Sequence, residues 1–259
     1  ADGLADDTIV FFWGDHGEGV PHGKRSLTEH GLRVPLLVRV PEKWRTRATL
    51  PGRVAPVGTT ATLVSLLDLG PTVLALAGVD RPTWIEGRPF FGPDAAGRDV
   101  VIAARDRMDA PPGFGRSARD ARFRYLRTFL PWIDGDDLPD YAAGVAITAE
   151  LRAARQAGVL PPGASWFARR IRPAEELHDV TADPEELHDL TGDPARQADL
   201  ERLRADVRSW MRETFDTGIL PEPILRAEAR AAGSEWAIFH GGDPAEARSR
   251  YDAILDTAW

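Results

Sequence analysis

The amino-acid sequence predicts an α/β fold, with part of a mixed sheet flanked by helices and then a smaller α+β subdomain. Two short apolar runs at residues 8–13 and 36–40, rich in β-branched and aromatic side chains, indicate buried strands. An apolar helix is predicted at residues 71–77. From about residue 117 the pattern changes to polar–apolar alternation, which is typical of antiparallel strands with one exposed face.

The first strand ends abruptly in Gly14-Asp15-His16-Gly17. Ligands of open α/β sheets bind just beyond the carboxyl ends of the strands. Asp15 offers a hard anionic oxygen there, and His16 offers a nitrogen ligand or a proton carrier. The two glycines permit a close backbone approach. A strand followed by a polar turn is the alternative interpretation of the same residues.

A glycine-rich loop with several cationic side chains, residues 19–35, comes next in the chain. His22, Lys24 and Arg25 lie close to Asp15 in sequence, where they could meet an anion beside a metal. A solvated basic loop accounts for the same residues equally simply. The second strand, at residues 36–40, is stopped by Pro41.

The predicted helix at 71–77 has Pro71 in its first turn and Gly78 just after its end, which are common boundary signals. The later elements are a strand at 100–104, a strand at 123–129, a helix at 142–157, a strand at 176–180 and an amphipathic helix around 200–211. The predicted domains are 1–115 (α/β), 116–220 (small α+β) and 221–259 (a tail expected to pack on the body or fray).

Composition excludes several classes of protein. The net charge of -8 argues against general nucleic-acid binding, which needs a basic face. No apolar run approaches the roughly 20 residues of a membrane span. The chain has no cysteine, so it has no disulfide framework and no thiolate nucleophile. We expect no signal peptide, and the sequence assigns no compartment.

The start of the chain predicts that further sheet lies upstream. Residues 1–7 form a polar lead without an initial methionine, and they run directly into an apolar strand. A buried strand needs neighbours on both sides. We therefore expect the chain to begin within a domain, which leaves an unpaired edge and an exposed apolar face on strand 8–13.

A short motif occurs twice, at Glu176–Pro184 and Glu186–Pro194. Two copies are too few for a solenoid. The histidines of the two copies, His178 and His188, could be metal ligands, but strand-end and helix-cap roles explain them better. Each copy ends in Asp-Pro, which is a common helix start.

Taken together, several of these segments resemble the sulfatase family of the alkaline-phosphatase superfamily. The similar segments are residues 8–17, 22–24, 29–35, 65–72, 105–108, 123–127 and 175–184. Their number and order make the resemblance specific. Residues 105–108 and 124–127 look most like bacterial sulfatases akin to heparan N-sulfatases.

This resemblance implies roles for five residues. Asp15 and His16 would bind a divalent cation, usually calcium, although calcium prefers about six to eight oxygen ligands and imidazole suits transition metals better. Lys24 would contact the sulfate and act in catalysis, and His22 would bind substrate or transfer a proton. Arg105 would bind acidic groups of the substrate, with a surface salt bridge as the alternative.

The resemblance also implies that something is missing. Sulfatases carry a Cys/Ser-x-Pro-x-Arg motif whose first residue becomes the formylglycine nucleophile, and this sequence contains no such motif. We therefore expect the C-terminal part of a sulfatase that hydrolyses sulfate esters or sulfamates and is inactive alone. Its partners would be a sulfated small molecule or glycan and the missing N-terminal half of the same domain.

Two alternatives remain open at this point. A phosphonate or phosphodiester hydrolase of the same superfamily would share the metal-binding strand. A non-catalytic binding domain would show no response to divalent metal even with the missing half restored. Many bacterial relatives are exported, so the resemblance is compatible with a periplasmic or secreted protein as well as with a cytoplasmic one.

Overall fold

A computed structural model describes residues 3–50, 53, 54, 58–108 and 113–259. The chain divides into two compact units, one of residues 1–101 and 119–123 and the other of residues 102–118 and 124–259. Each unit combines strands with helices, which confirms the predicted α/β class. The predicted domain boundaries stay predictions.

The first unit contains short strands and short helices. Its elements are β1 (Val10–Trp13), α1 (Glu29–Leu32), β2 (Leu36–Arg39), β3 (Thr49–Leu50), β4 (Arg53–Val54) and α2 (Leu69–Ala77). Helix α2 ends at Gly78, which has a positive φ of 71°, so the predicted helix and its stop signal are confirmed.

Strands β1 and β2 form a two-stranded antiparallel sheet, in which Phe12 lies opposite Leu37 and Phe11 lies opposite Val38. Side chains alternate between the two faces of a strand. One face of this sheet packs on the core of the unit. That core consists of Ala48, Leu50, Leu76, Phe90 and Phe91, with Ile9, Phe11, Leu36, Val38, Val40, Val64 and Leu69 packed against it.

The other face of the β1–β2 sheet is open. Phe12 is 63% exposed and Leu37 is 58% exposed, and Val10 is exposed beside them. The prediction that residues 8–13 and 36–40 are buried strands was therefore wrong for one face of each strand. The physical reason is that only the inner face meets the core. The expected exposed apolar face of strand 8–13 is confirmed.

Asp68 joins helix α2 to the loop that carries Phe90. Its carboxylate is fully buried and accepts hydrogen bonds from the backbone N–H groups of Ser65 (3.0 Å) and Arg88 (2.9 Å). Arg98 Nε donates a third hydrogen bond at 2.6 Å. Because each of these donors lies on a different segment, the single carboxylate fixes the position of the helix N-terminus in this unit.

The second unit holds a four-stranded sheet followed mainly by helices. Its elements are β5 (Val101–Arg105), β6 (Gly115–Arg119), β7 (Phe123–Thr128), α3 (Asp140–Ala143), α4 (Ala146–Ala157), β8 (Glu175–Asp179), α5 (Gln197–Thr214), α6 (Glu222–Ala232), α7 (Ala237–His240) and α8 (Pro244–Ala258). The first residue of β5 and residues 119–123, which include the turn between β6 and β7, are counted in the first unit. The strand order is β5-β6-β7-β8. The predicted helix at 142–157 is divided in two near Gly144.

Strand β7 is more deeply buried than its alternating pattern predicted. Arg124 was expected on an exposed face, but its guanidinium is almost fully buried and pairs with the buried carboxylate of Glu186. A buried charge is tolerated when a partner of opposite charge lies beside it. In this strand the polar position at Arg124 is therefore explained by an internal ion pair and not by an exposed face.

Strand β8 carries a second buried charge cluster. Arg169 donates a hydrogen bond of 2.6 Å to the Glu176 carboxylate, and His178 Nε2 lies 3.9 Å from the same oxygen. Burial alone would raise the pKa of Glu176. The neighbouring His178 and Arg169 outweigh burial and lower that pKa to about 2.

The helices of the second unit bury a continuous apolar stripe. The buried side chains of α5 are Leu200, Leu203, Val207 and Met211, as the predicted amphipathic helix requires. The tail beyond residue 220 forms three helices and buries Phe239, Tyr251 and Leu255, so its predicted packing on the body is confirmed. None of the described helices combines the length and the apolarity that crossing a bilayer requires.

We predict that the open face of the β1–β2 sheet drives self-association. Threonine is β-branched and favours strands, so replacing both Phe12 and Leu37 with threonine should preserve the sheet while removing exposed apolar area. A larger fraction of the double variant should therefore be monomeric. Light scattering after size-exclusion chromatography at increasing concentration measures this. The matched control is Phe11→Thr on the inner face, which should lower the free energy of unfolding by roughly 3 kcal/mol. A wild-type chain that stays monomeric at all concentrations would contradict the prediction.

We also predict that acid destabilises the second unit through Glu176. Its carboxyl has an ordinary pKa of 4.5 and a lowered pKa of about 2 in the fold. The stabilisation is therefore complete above pH 4.5 and is lost as the pH falls towards 2, at about 1.4 kcal/mol per pKa unit. Urea unfolding of wild type between pH 6 and pH 2.5, set against Glu176→Gln, measures this loss. The variant should show a flatter pH dependence, whereas Glu150→Gln, on an exposed helix surface, should behave like wild type.

Candidate functional site

The end of strand β1 presents Asp15 and His16 to solvent. The backbone N–H of Gly14 still donates to the Pro35 carbonyl at 3.1 Å, so the strand pairing continues to the point where the polar residues begin. The Asp15 side chain is 85% exposed and the His16 side chain is 38% exposed. His16 Nε2 lies 3.5 Å from the Asp15 carboxylate, and its Nδ1 lies 2.8 Å from the Gly17 carbonyl oxygen. The pair lies at the end of strand β1 as expected, and its role as a metal-binding pair stays a prediction.

Asp15 and His16 supply suitable donor types for a divalent cation but too few of them. Within the part of the chain that the structure describes, no group of three or more His, Asp or Glu side chains converges on one point. Calcium takes about six to eight oxygen ligands, so one carboxylate and one imidazole do not make a calcium site by themselves. Among the described residues, Asp15 and His16 provide at most part of such a site.

Three glycines in the loop after strand β1, namely Gly17, Gly23 and Gly31, allow its backbone segments to pack closely together. We call these three residues the glycine cluster. A side-chain carbon at Gly17 would collide with the His30 carbonyl, and one at Gly31 would collide with the Ser26 carbonyl. One at Gly23 would collide with the backbone of Glu18. Backbone segments approach this closely only where no Cβ intervenes.

Hydrogen bonds of the backbone confirm the close approach of these segments. Gly17 N–H donates to the Gly31 carbonyl at 3.0 Å, and Lys24 N–H donates to the Glu18 carbonyl at 2.7 Å. The segment that carries Lys24 is thereby tied to the segment that directly follows Asp15 and His16. The bonds join backbone atoms, so they fix where the Lys24 side chain leaves the chain.

The loop also contains two residues in an uncommon backbone conformation. His22 and Arg25 both have φ of 73°, in the left-handed region that residues with a Cβ seldom adopt. They flank the Gly23-Lys24 step, and the Thr28 hydroxyl donates to the His22 carbonyl at 3.5 Å. Left-handed non-glycine residues cost of the order of 1–3 kcal/mol and often occur at functional sites.

Helix α1 adds two residues that the sequence analysis did not single out. The His30 ring lies beside the His22 ring, with 5.7 Å between ring centroids. Glu29 is buried and pairs with Arg119 Nε at 3.2 Å, within the same compact unit. The sequence offered a signal for the helix, Thr28 before Glu29, but none for a partner 90 positions away.

Arg105, which was predicted to bind substrate, belongs to the second unit together with its neighbour Arg107. The Arg105 carbonyl accepts a hydrogen bond of 3.1 Å from buried Arg116, and its role in binding substrate stays a prediction. Arg107 pairs with Glu222 at 3.0 Å and donates to the Gly218 carbonyl at 3.0 Å. For Arg107 the structure therefore supports a salt-bridge role.

The two histidines of the repeated motif have separate environments. His178 is buried in β8, whereas His188 is exposed and lies with its Nδ1 3.2 Å from the Asp183 carboxylate. The backbone N–H of His188 also donates a hydrogen bond of 2.8 Å to the Asp183 carboxylate. His178 therefore has the strand-end role favoured from the sequence, whereas the helix-cap role was wrong for His188, which lies in an irregular segment before the next helical turn at Pro194.

Comparisons with known proteins all indicate similarity to sulfatases. Residues 1–79 match the family model described as Sulfatase. The chain is 34% identical over 226 residues to an ulvan-active sulfatase of Formosa agariphila, an alignment that covers 86% of this chain and 36% of that protein. It is 32% identical over 124 residues to the N-acetylglucosamine-6-sulfatase of Homo sapiens, covering 46% of this chain and 20% of the relative.

Solved structures show the same similarity at the level of the fold. A protein solved in complex with its substrate D-glucosamine-2-N,6-O-disulfate matches with a TM-score of 0.54 and 18% identity, covering 83% of this chain and 36% of that chain. A putative sulfatase from Bacteroides thetaiotaomicron matches with a TM-score of 0.53 and 20% identity, covering 82% and 37%. The chain thus spans little more than a third of the proteins that it matches over most of its own length.

We predict that the glycine cluster is essential to the shape of the loop. Gly31→Ala forces a Cβ against two backbone carbonyls and should lower the free energy of unfolding by roughly 1–3 kcal/mol. Backbone amide shifts of residues 14–31 should move with it. The matched control is Gly19→Ala, because a Cβ there meets open space. Equal effects of the two substitutions on thermal unfolding and on amide shifts would contradict the prediction.

Proposed function

Because the chain belongs to the sulfatase family of the alkaline-phosphatase superfamily, we propose that it forms part of an active site that hydrolyses sulfate esters or sulfamates. The observation that carries this proposal is the joining of two segments, residues 14–18 and 22–24, by the glycine cluster and its backbone hydrogen bonds. The first segment carries the carboxylate of Asp15 and the imidazole of His16, and the second carries the ammonium group of Lys24. Such a combination suits a tetrahedral oxyanion bound beside a cation.

In this proposal Asp15 and His16 contribute two ligands to a divalent-cation site, with calcium as the cation. The remaining ligands come from polypeptide outside this chain, since these two donors alone are too few. When bound, a divalent cation polarises the oxygens of the substrate. The high exposure of Asp15 supports an incomplete site, because its carboxylate faces outwards at the end of the strand.

Lys24 holds a fixed positive charge for the sulfate group. Its backbone is anchored by the bond to the Glu18 carbonyl, and an ammonium placed in advance stabilises charge that develops on the sulfuryl and leaving oxygens. His22, two residues earlier, binds substrate or transfers a proton.

The nucleophile lies outside this chain. Sulfatases use a formylglycine made from a Cys/Ser-x-Pro-x-Arg motif, which supplies the attacking oxygen, and these 259 residues contain neither that motif nor any cysteine. The open face of the β1–β2 sheet, with Phe12 and Leu37, supports a further piece of polypeptide packing there. We propose that this piece carries the formylglycine and completes the domain.

The substrate class is a sulfated saccharide. Two relatives whose alignments each cover 86% of this chain are named ulvan-active sulfatases, and one protein of similar fold was solved in complex with D-glucosamine-2-N,6-O-disulfate as its substrate. A saccharide of this kind presents a sulfate group to Lys24.

We predict no sulfate-ester hydrolysis by the isolated chain, because the attacking group is absent. The measurement is release of 4-nitrophenol from its sulfate ester and of sulfate from sulfated oligosaccharides. Turnover clearly above that of Lys24→Ala would contradict this prediction. In a longer protein that supplies the motif, Lys24→Ala should lower kcat about 100- to 1000-fold. The control is Lys43→Ala, since Lys43 pairs with Asp7 at the surface.

We predict calcium-dependent thermal stabilisation of that longer protein, which Asp15→Ala should abolish. A ligand present at about 100 times its Kd adds roughly 2.7 kcal/mol to the free energy of unfolding. Asp80→Ala, at an exposed aspartate in the same unit, serves as the control. A stabilisation that persists in Asp15→Ala would remove Asp15 from the site. Faster hydrolysis of phosphate esters than of sulfate esters would instead favour a phosphonate or phosphodiester hydrolase.

A further inference from the structure

A series of four aromatic rings leads from the interior of the second unit to its surface. Tyr251 is fully buried, and the Phe215 ring meets it edge-on with 5.5 Å between ring centroids. His240 packs edge-on against Phe215 at 5.2 Å. Trp236, in the turn between α6 and α7, stacks almost parallel on His240, with 4.3 Å between centroids and 8° between ring planes. We call these four residues the aromatic ladder.

The outer end of the aromatic ladder is exposed but held in place. His240 covers one face of the Trp236 indole, and Trp236 is still 67% exposed, so the opposite face of the indole is open to solvent. His240 Nδ1 lies 2.8 Å from the Trp236 carbonyl oxygen, which fixes the imidazole against the indole. A ring that is already held in one position loses little conformational entropy when a ligand covers it.

The two outer rings also offer one hydrogen-bond donor and one acceptor. A carbonyl oxygen only accepts hydrogen bonds, so Nδ1 of His240 carries the proton, and Nε2 of the neutral imidazole is an acceptor. The indole N–H of Trp236 is a donor. Among the described residues, neither Nε2 of His240 nor Nε1 of Trp236 has a hydrogen-bond partner. Both atoms are therefore available to a ligand that covers the rings.

The size of this surface indicates a small ligand or a single ring of a larger one. Its apolar part is one indole face, whereas a stable protein–protein interface buries about 800 Å² on each partner. Beyond residue 220, where the structure describes every residue, the other exposed large apolar side chain is Ile224. Ile224 lies in the first turn of α6, whereas Trp236 follows the last turn, so the two do not form one patch.

The charge of this surface excludes one class of stacking ligand. Nucleic-acid bases also stack on aromatic side chains, but they do so beside a basic groove that binds the phosphates. The residue directly before Trp236 is the exposed acid Glu235, and the chain has a net charge of -8. A ligand with a ring face, several hydroxyl groups and no need for a basic groove fits better.

We propose that Trp236 and His240 form a binding surface for a pyranose ring of a saccharide. One face of a pyranose carries C–H groups, whose partial positive charge is attracted to the negative face of an indole. Its hydroxyl groups both donate and accept hydrogen bonds, so they match the indole N–H and His240 Nε2. The choice of a saccharide rests on the proposed function, and a second point of attachment raises the effective concentration of a long sulfated saccharide at the protein.

The experiment is an NMR titration of the 259-residue chain, followed by the indole N–H resonances of its eight tryptophans. The probes are a sulfated tetrasaccharide prepared from heparin and the same tetrasaccharide after desulfation and N-acetylation. Both probes should shift the Trp236 indole resonance in a saturable manner, because stacking on the ring needs no sulfate. Trp236→Phe assigns this resonance, and the backbone amides of residues 235–241 report binding in variants that lack the indole.

The variants separate stacking on a supported ring from simple exposure. Trp236→Ala should weaken binding of either probe at least about tenfold, because it removes the central aromatic ring of the surface. His240→Gln removes the supporting ring but keeps a polar side chain, and it should weaken binding several-fold. The matched control is Trp132→Ala, which should leave binding unchanged. Trp132 is 65% exposed in the same unit, and within the described part of the chain no ring stacks on it.

Three results would overturn the proposal. These are no saturable shift of the Trp236 indole with either probe, an equal weakening of binding in Trp132→Ala, and a shift produced by the sulfated probe alone, which would indicate charge instead of ring stacking. Circular dichroism of each variant separates loss of binding from loss of fold. Lys24→Ala, in the other unit, should leave this binding unchanged, so failure of saccharide binding at Trp236 is distinguishable from failure of the proposed hydrolysis.

Discussion

The close approach of backbone segments at Gly17, Gly23 and Gly31 is the constraint on which the candidate site depends. Each glycine faces a carbonyl at a distance that no side-chain carbon could share. The resulting hydrogen bonds, from Gly17 to Gly31 and from Lys24 to Glu18, join the end of strand β1 to the following loop. The chemical groups of this loop are ordinary, and their arrangement comes from backbone packing rather than from contacts between side chains.

The β1–β2 sheet has one covered face and one open face. Its inner face packs on Phe90, Phe91 and the residues around them, whereas its outer face exposes Phe12 and Leu37. Apolar side chains in that position lower the free energy of the chain only when something covers them. Asp15 and His16, the proposed metal ligands, lie at the end of the same sheet, so the proposed additional polypeptide would both cover the open face and complete the proposed site.

Buried ion pairs organise the second unit in a different way. Arg116 is completely buried between the carboxylates of Asp106 and Asp216, at 2.8 and 2.6 Å. Arg124 pairs in the interior with Glu186. Moving such charges out of water is costly, so each pair depends on partners that arrive from distant parts of the chain. Charged residues that alternate with apolar ones in a strand normally face solvent, and this is why the sequence wrongly predicted an exposed face for strand β7.

Local sequence patterns alone determined the sulfatase resemblance and about half of the strands and helices, but not strand β6 or the three helices beyond residue 220. Gly78 marked the end of helix α2, the spacing of Leu200, Leu203 and Val207 marked helix α5, and Asp15-His16 marked the end of strand β1. These features depend on residues within a few positions of one another, which share backbone geometry and hydrogen bonds. Only the tertiary structure decided which face of β1 is covered, that His22 adopts a left-handed conformation beside His30, and that Arg107 pairs with Glu222. Burial and long-range pairing depend on segments that meet only after folding, and no local pattern encodes which segments will meet.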